Sequence, residues 1–352
     1  MQVVTVNASK KYDIKIGTGF VGNLGEEIAP LMSGKKVMLV SDDKVFSLYG
    51  ERAVSSLEKS GYIVSIFTFP NGEDSKNINN YTNLVEALFD AQLTRKDLVI
   101  ALGGGVVTDL AGFAAATFQR GVGIVMVPTT LLAAVDASVG GKNGINLTKG
   151  KNQIGTFYQP LEVLCDIETL WTLPREEYIN GCSEIIKYAM IVNDGLFELI
   201  RDKEVIDQYE EIITRCITIK RDYVEADEFD VGKRMMLNFG HTIGHAVEAC
   251  SGYKIPHGRA VAIGMSAITK AAVVNGYCTE DTRMQLDELL EQYELLDELP
   301  FKAEDLMECV KVDKKNSSGM LRIVIPKAIG ICTIKEIYKE ECFKWIVLGG
   351  AR

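Results

Sequence analysis

Asp97-Leu98-Val99-Ile100-Ala101-Leu102-Gly103-Gly104-Gly105-Val106-Val107-Thr108-Asp109 is the stretch on which the reading of the fold turns. After Asp97 the apolar residues run without polar alternation, which predicts a strand buried on both faces. Three glycines follow, and the apolar run over 110–116 then predicts a helix. A strand that turns through glycines into a helix is one half of a βαβ unit. Working outward, 36–41, 62–69 and 124–127 read as further short strands. Helices are expected after the first of these, to about Ser60, and over 77–91. This alternation predicts an α/β domain over 1–165, with a parallel-type sheet and helices on both faces. Ligands of such sheets collect at the carboxyl ends of the strands, where the glycines lie.

From about Glu168 the pattern changes. Helical periodicity covers 176–188, 196–202, 207–226, 233–251, 259–275 and 281–295, and strand signals return only at 321–326. The region 166–352 is therefore expected to form a second, mainly α-helical domain. A chain of 352 residues suits two domains of this size.

Hydrophobic residues at 47% and charged residues at 24% can build a packed core, which excludes a disordered chain. A net charge of −10 argues against nucleic acid, whose phosphates are held by clustered cations. No apolar run approaches the roughly 20 residues that span a bilayer, and 1–10 is too polar for a signal peptide. The expectation is a cytoplasmic protein with no membrane partner. The eight cysteines are scattered, with no C-x-x-C pair. They read as reduced core thiols rather than a disulfide framework.

The glycine turn has chemical content of its own. Gly103, Gly104 and Gly105 let a ligand approach the backbone, and the following helix N-terminus offers N–H groups to a phosphate. The G-x-G-x-x-G fingerprint is absent, so the segment also reads as a plain strand-to-helix turn. Glu73, just past the second strand, could hold ribose hydroxyls or lie in a solvated turn. Thr129 and Thr130, after the fourth strand, could meet a ligand or cap a helix.

All three histidines fall between positions 241 and 257: His241, His245 and His257. His241 and His245 are four apart on an expected helix, so they share a face at about 5–6 Å, a spacing suited to one metal. The H-E-x-x-H peptidase motif is absent. Catalytic zinc commonly takes three protein ligands and keeps one position open. Glu184, in an apolar helix, is the best carboxylate candidate, and Lys187 follows one turn later. Such a pair is costly in an apolar stripe unless it is ion-paired or metal-bound. Arg120, Lys142, Lys151, Lys220 and Arg234 offer cations to an anionic substrate, although each alone also reads as a surface charge.

Taken in order, the segments 103–109, 127–132, 135–142, 150–155, 181–187, 237–245, 257–258 and 261–265 resemble the 3-dehydroquinate synthase family of sugar phosphate cyclases. The most specific is Leu237-Asn238-Phe239-Gly240-His241-Thr242-Ile243-Gly244-His245. The resemblance, from about residue 70 to the end, implies a Rossmann-like, dinucleotide-binding first domain and a metal-binding helical domain. It implies NAD, a divalent metal (zinc, or cobalt) and the substrate DAHP, 3-deoxy-D-arabino-heptulosonate 7-phosphate. The metal ligands would be Glu184, His241 and His257, with His245 near the leaving phosphate; this replaces the His241–His245 pairing suggested by spacing.

The substrate carboxylate would meet Lys142, Asn152 and Arg234. The phosphate would meet Lys187, Asn238, His245, and Arg120 from the second subunit of a homodimer. Lys220 and Asp136 match substrate-site positions, and Lys314 or Lys315 would add a phosphate contact. The dinucleotide would lie along Asp42, Glu73, Lys76, Gly103, Gly104, Gly105, Val106, Asp109, Thr129, Thr130, Lys142, Lys151, Thr169 and Thr172.

The expected reaction passes through transient oxidation by NAD, loss of phosphate, re-reduction and an intramolecular aldol closure to 3-dehydroquinate. It belongs to aromatic amino acid biosynthesis. Three positions depart from the family pattern: Thr108 stands where Gly is usual, Asp230 where Glu is common, and Arg259 where Glu usually follows His-Gly. The last puts in doubt carboxylate support for His257. Sister cyclases, the amino-dehydroquinate type above all, share the scaffold; a metal-dependent polyol dehydrogenase is a second class, and a non-catalytic binding protein a third.

Overall fold

The structure is a computed structural model and describes residues 1–148, 150–313 and 319–351. By internal contacts the chain forms two compact units, Met1–Pro174 with Lys220–Phe229, and Arg175–Ile219 with Asp230–Arg352. Lys314 and Lys315 lie outside the described residues.

The first unit contains, in chain order, β1 (Gln2–Asn7), β2 (Lys11–Gly17), α1 (Leu24–Glu27), β3 (Lys36–Asp42), α2 (Asp43–Val45), α3 (Glu51–Lys59), β4 (Ile63–Phe69), α4 (Ile78–Asp90), β5 (Leu98–Gly103), α5 (Gly105–Thr117), β6 (Gly123–Pro128), β7 (Lys142–Leu147), β8 (Gly150–Phe157) and β9 (Glu162–Asp166). Seven strands form one sheet in the order β1-β2-β9-β6-β5-β3-β4. The pairings are parallel except β1 with β2, an edge hairpin. The expected parallel α/β sheet is thus present. β7 and β8 form a separate antiparallel hairpin that the sequence did not signal.

The sheet interior follows from the apolar runs. Every residue of β5 is buried. On one face Val37, Leu39, Leu98, Ile100, Val125 and Leu164 pack with the helical residues Leu24, Ala53 and Leu57 and with Ile28, just past α1. Each such side chain contributes about 1.5–3 kcal/mol when fully buried. Asp97 fixes the entry to β5: its carboxylate accepts hydrogen bonds from the backbone N–H groups of Lys35, Lys36 and Thr94. Those donors hold its pKa below the usual carboxylate value although burial pushes the other way.

The second unit contains α6 (Arg175–Ile191), α7 (Leu196–Asp202), α9 (His241–Cys250), α10 (His257–Val274), α11 (Glu280–Gln292), α12 (Ala303–Asp313) and α13 (Lys339–Leu348), with the antiparallel hairpin β10 (Met320–Ala328) and β11 (Ile331–Tyr338). α8 (Tyr209–Ala226) supplies residues to both units. α10 is apolar and buried nearly all round, as a central helix must be. It packs against α6, α9, α11 and α13.

Two expectations are corrected here. The helix expected over 233–251 is a 3-10 segment, Lys233–Asn238, and then α9, because Gly240 between them takes φ 76°. A Cβ there would also lie 2.5 Å from Met265, so glycine is required. The cysteines are not all free. Cys250, ending α9, is disulfide-bonded to Cys309 on α12, with Cα atoms 6.3 Å apart, inside the disulfide range. The other six take part in no disulfide among the described residues. No helix among the described residues is long and apolar enough to cross a membrane.

Candidate metal centre and dinucleotide edge

In the second unit three helices deliver the metal-type donors. Glu184 lies on α6 with its side chain 1% exposed. His241 is the first residue of α9 and His257 the first of α10. Glycines let these helices close on one another. A Cβ on Gly264 of α10 would stand 2.0 Å from the Gly240 carbonyl, and one on Gly258 would stand 2.2 Å from the Asn180 carbonyl of α6. Oε1 of Glu184 lies 3.6 Å from Nε2 of His241 and 3.3 Å from Nε2 of His257. One ligand atom from each residue falls within 4.8 Å of the others. One carboxylate and two imidazoles at that spacing suit a catalytic divalent ion with a position left open.

The two rings are oriented from behind. Nδ1 of His241 is 3.0 Å from the Phe239 carbonyl, and Nδ1 of His257 is 3.2 Å from Oε2 of Glu248. Each acceptor assigns the proton to Nδ1 and leaves Nε2 for the Glu184 side. Arg259 therefore does not cost His257 its carboxylate: Glu248, from α9, supplies it. Arg259 bonds the Glu294 carbonyl and Asp297 instead.

Electrostatics separate the two rings. Burial pulls His241 down to about 3, against the pull of Glu184. Burial also opposes the charged form of His257, but the hydrogen bonds to Glu184 and Glu248 outweigh it and hold this ring up to about 10. In the ion-free site the proton therefore resides on His257.

His245 lies on the same face as His241, ring centroids 5.3 Å apart, as the four-residue spacing requires. Its donors group with Glu248 and His257 rather than with Glu184. Lys187 is buried against Glu184 and stacks over Tyr188 at 4.6 Å. Arg234 is buried in the 3-10 segment. A cavity of about 190 Å³ opens beside this cluster, walled by Asn238, His241, His245, Met235, Val324 and Arg322. Glu248 and Arg322 were absent from the sequence reading. The i, i+4, i+7 placement of His241, His245 and Glu248 on one helix face was the available signal for Glu248.

The first unit has its own polar edge at the carboxyl ends of β3, β5 and β6. Gly104 caps α5 without any side-chain bond to the first N–H groups. A Cβ at Gly103 would meet Val107 at 2.4 Å, and one at Gly104 would meet Thr130 at 2.9 Å. Thr108 turns its hydroxyl to the Gly105 carbonyl, 3.1 Å away. Val106 follows in the first turn, and Thr129 donates its N–H to the Gly103 carbonyl.

Lys76 is buried between Asp109, at 3.0 Å, and Glu73, at 3.4 Å. Asn146 also bonds Glu73, and Lys151 approaches it at 3.8 Å. Burial disfavours all three charges. Lys76 nonetheless stays above its ordinary value and Glu73 below its own, while burial prevails at Asp109 and raises it. Asp42 is buried and accepts from the Val45 N–H. Thr169 and Thr172 meet the Tyr49 hydroxyl. Lys220 is paired with Asp136. Asn152 has φ 52° and bonds Asn146, whereas Lys142 and Arg120 are exposed.

The family model described as 3-dehydroquinate synthase N-terminal matches residues 66–180, and that described as 3-dehydroquinate synthase C-terminal matches 181–316. A 3-dehydroquinate synthase of Nostoc punctiforme is 41% identical, covering 99% of each chain. One of Streptococcus mutans is 40% identical over 97% of this chain and 99% of its own. Among solved structures, 2-deoxy-scyllo-inosose synthase complexed with carbaglucose-6-phosphate, NAD+ and Co2+ superposes with a TM-score of 0.89 at 26% identity, over 98% of this chain and 99% of that one.

Proposed function

The chain belongs to the 3-dehydroquinate synthase family, and from that premise we propose that it converts DAHP to 3-dehydroquinate and phosphate in the shikimate pathway. One observation carries the reading: Glu184, His241 and His257 bring three donors within 4.8 Å in a chain that is 41% identical to a named synthase over nearly its whole length. The 26% identity to an inosose-forming cyclase gives less support to that sister activity.

Glu184, His241 and His257 would hold zinc or cobalt, and the edge formed by Asp42, Glu73, Lys76, Gly103–Gly105, Val106, Asp109, Thr129, Thr130, Lys142, Lys151, Thr169 and Thr172 would hold NAD. Bound there, the ion acidifies a substrate hydroxyl and the dinucleotide supplies a reversible hydride acceptor. This chain's own groups do the rest. In the second unit Lys187, Asn238 and His245 stabilise charge on the departing phosphate, and Arg234 takes the substrate carboxylate as a bidentate partner. In the first unit Lys142, Asn152 and the Lys220–Asp136 pair supply polar contacts to one conformer of the substrate. Arg120, exposed, would act from a second copy in a homodimer. The compartment is the cytoplasm.

The test is release of phosphate from DAHP by protein loaded with NAD and zinc or cobalt. The expected outcome is many phosphates released per bound dinucleotide, no accumulation of the reduced dinucleotide, and loss of turnover with a chelator. Net dinucleotide reduction by a polyol without phosphate release would make the protein a dehydrogenase.

A further inference from the structure

We propose that Arg322, on the β10–β11 hairpin, is a specificity-determining residue that binds the phosphate group of the substrate in the 190 Å³ cavity of the second unit. This deepens the reading above and rests on it for the identity of the anion.

The cavity wall decides the chemistry. Asn238, Thr242 and His245 present hydrogen-bonding groups, while Arg322 is the one permanent cation among the described residues that line it. A phosphate carrying nearly two charges is held weakly by neutral donors, whereas a guanidinium offers a planar fork matched to its oxygens.

Backbone geometry aims the side chain. Arg322 and Val324 are two apart on β10, so they project from one face of the hairpin, and both line the cavity. Directly across on β11, Glu336 pairs with Arg322 and Ile334 with Val324. Nε of Arg322 bonds Glu336 at 2.8 Å. Nη1 makes only long contacts, 3.3 Å to the Val231 carbonyl and 3.5 Å to Sδ of Met235. Nη2 has no partner among the described residues. Glu336 thus takes up only Nε, and the outer edge of the fork is left to an anion.

The competing account is an exposed cross-strand ion pair, which would stabilise the hairpin slightly and bind nothing. Substitutions on both sides of the pair separate the two. Binding of inorganic phosphate to zinc-loaded protein is followed by phosphorus NMR or calorimetry, which needs no turnover. Arg322→Gln should weaken phosphate binding about tenfold and raise KM for DAHP far more than it changes kcat. Arg322→Lys should recover part of the loss, and Glu336→Gln should leave phosphate affinity undiminished.

Equal losses from Arg322→Gln and Glu336→Gln, accompanied by equal falls in melting temperature, would assign Arg322 to the ion pair alone and overturn the proposal. Unchanged phosphate affinity in Arg322→Gln would do the same while leaving the cyclase reading intact. Arg322-dependent phosphate binding by a protein that releases no phosphate from DAHP would sink the cyclase reading and keep this site.

Discussion

Glu248 reaches Nδ1 of His257 from the last turn of α9, and its charge helps the ring to keep a second proton on Nε2, facing Glu184, with consequences that can be weighed. With its pKa held up to about 10 against an ordinary 6.5, His257 stabilises the ion-free fold fully below 6.5. That contribution is lost as the pH rises through about 10. A divalent ion requires a neutral ligand, so loading at a pH between those values should expel about one proton. Calorimetry in buffers of different ionisation enthalpy measures it. In Glu248→Gln an acceptor for Nδ1–H remains but the charge is gone. Proton release should shrink and metal affinity should fall about 10- to 100-fold. Wild-type loading without proton release, or an unaltered affinity in the variant, would refute this role. Glu184 and the histidine cluster were legible from the residues themselves, but the choice of His257 over His245 came only through family resemblance, because spacing alone favours His241 with His245. Glu248 was hidden for a physical reason: a carboxylate on an amphipathic helix reads as solvated until the start of α10 is known to lie against it.

At the level of elements, the closeness of α9 and α10 is what brings the two donor histidines together, and it depends on missing side chains. A Cβ at Gly264 would sit 2.0 Å from the Gly240 carbonyl and 2.8 Å from the Gly244 nitrogen. Both neighbours are backbone, so neither can swing aside. Gly264→Ala should therefore cost about 1–3 kcal/mol or more through overpacking, lowering the thermal midpoint by several degrees. It should also weaken metal binding by moving His241 from Glu184. A variant with the wild-type midpoint and metal affinity would show that the helices are not held this close. The same scale explains which elements could be read from sequence. β3 after Lys36 and β5 along its whole length are buried, so their apolar runs announce them. β8 carries Gly150-Lys151-Asn152-Gln153-Ile154-Gly155 with most side chains exposed, and it becomes a strand by pairing with β7. Local composition holds no trace of that partner. The Gly240 break was equally invisible, because helical periodicity on either side of it stays in register over 233–251 while the backbone does not.

For the molecule as a whole, the Cys250–Cys309 bond sets the proposed cytoplasmic, reducing compartment against a covalent link. Disulfides are rare in such compartments, yet this one joins positions 59 apart in the second unit. Closing a loop of that length restricts the unfolded chain by on the order of 4 kcal/mol in the chain-entropy model. α9 and α12 also pack against each other, so the unit does not depend on the bond alone. Protein isolated without reductant should accordingly show six titratable thiols when denatured, and eight after reduction. Its guanidinium midpoint should fall on reduction while the transition stays cooperative. Cys309→Ser, free of the link under either condition, should match the reduced protein and ignore reductant. Eight thiols at the outset would mean that the helices bring the sulfurs together without joining them. In that case wild type and Cys309→Ser should unfold at the same denaturant concentration, and the stability of the second unit would rest on packing around α10.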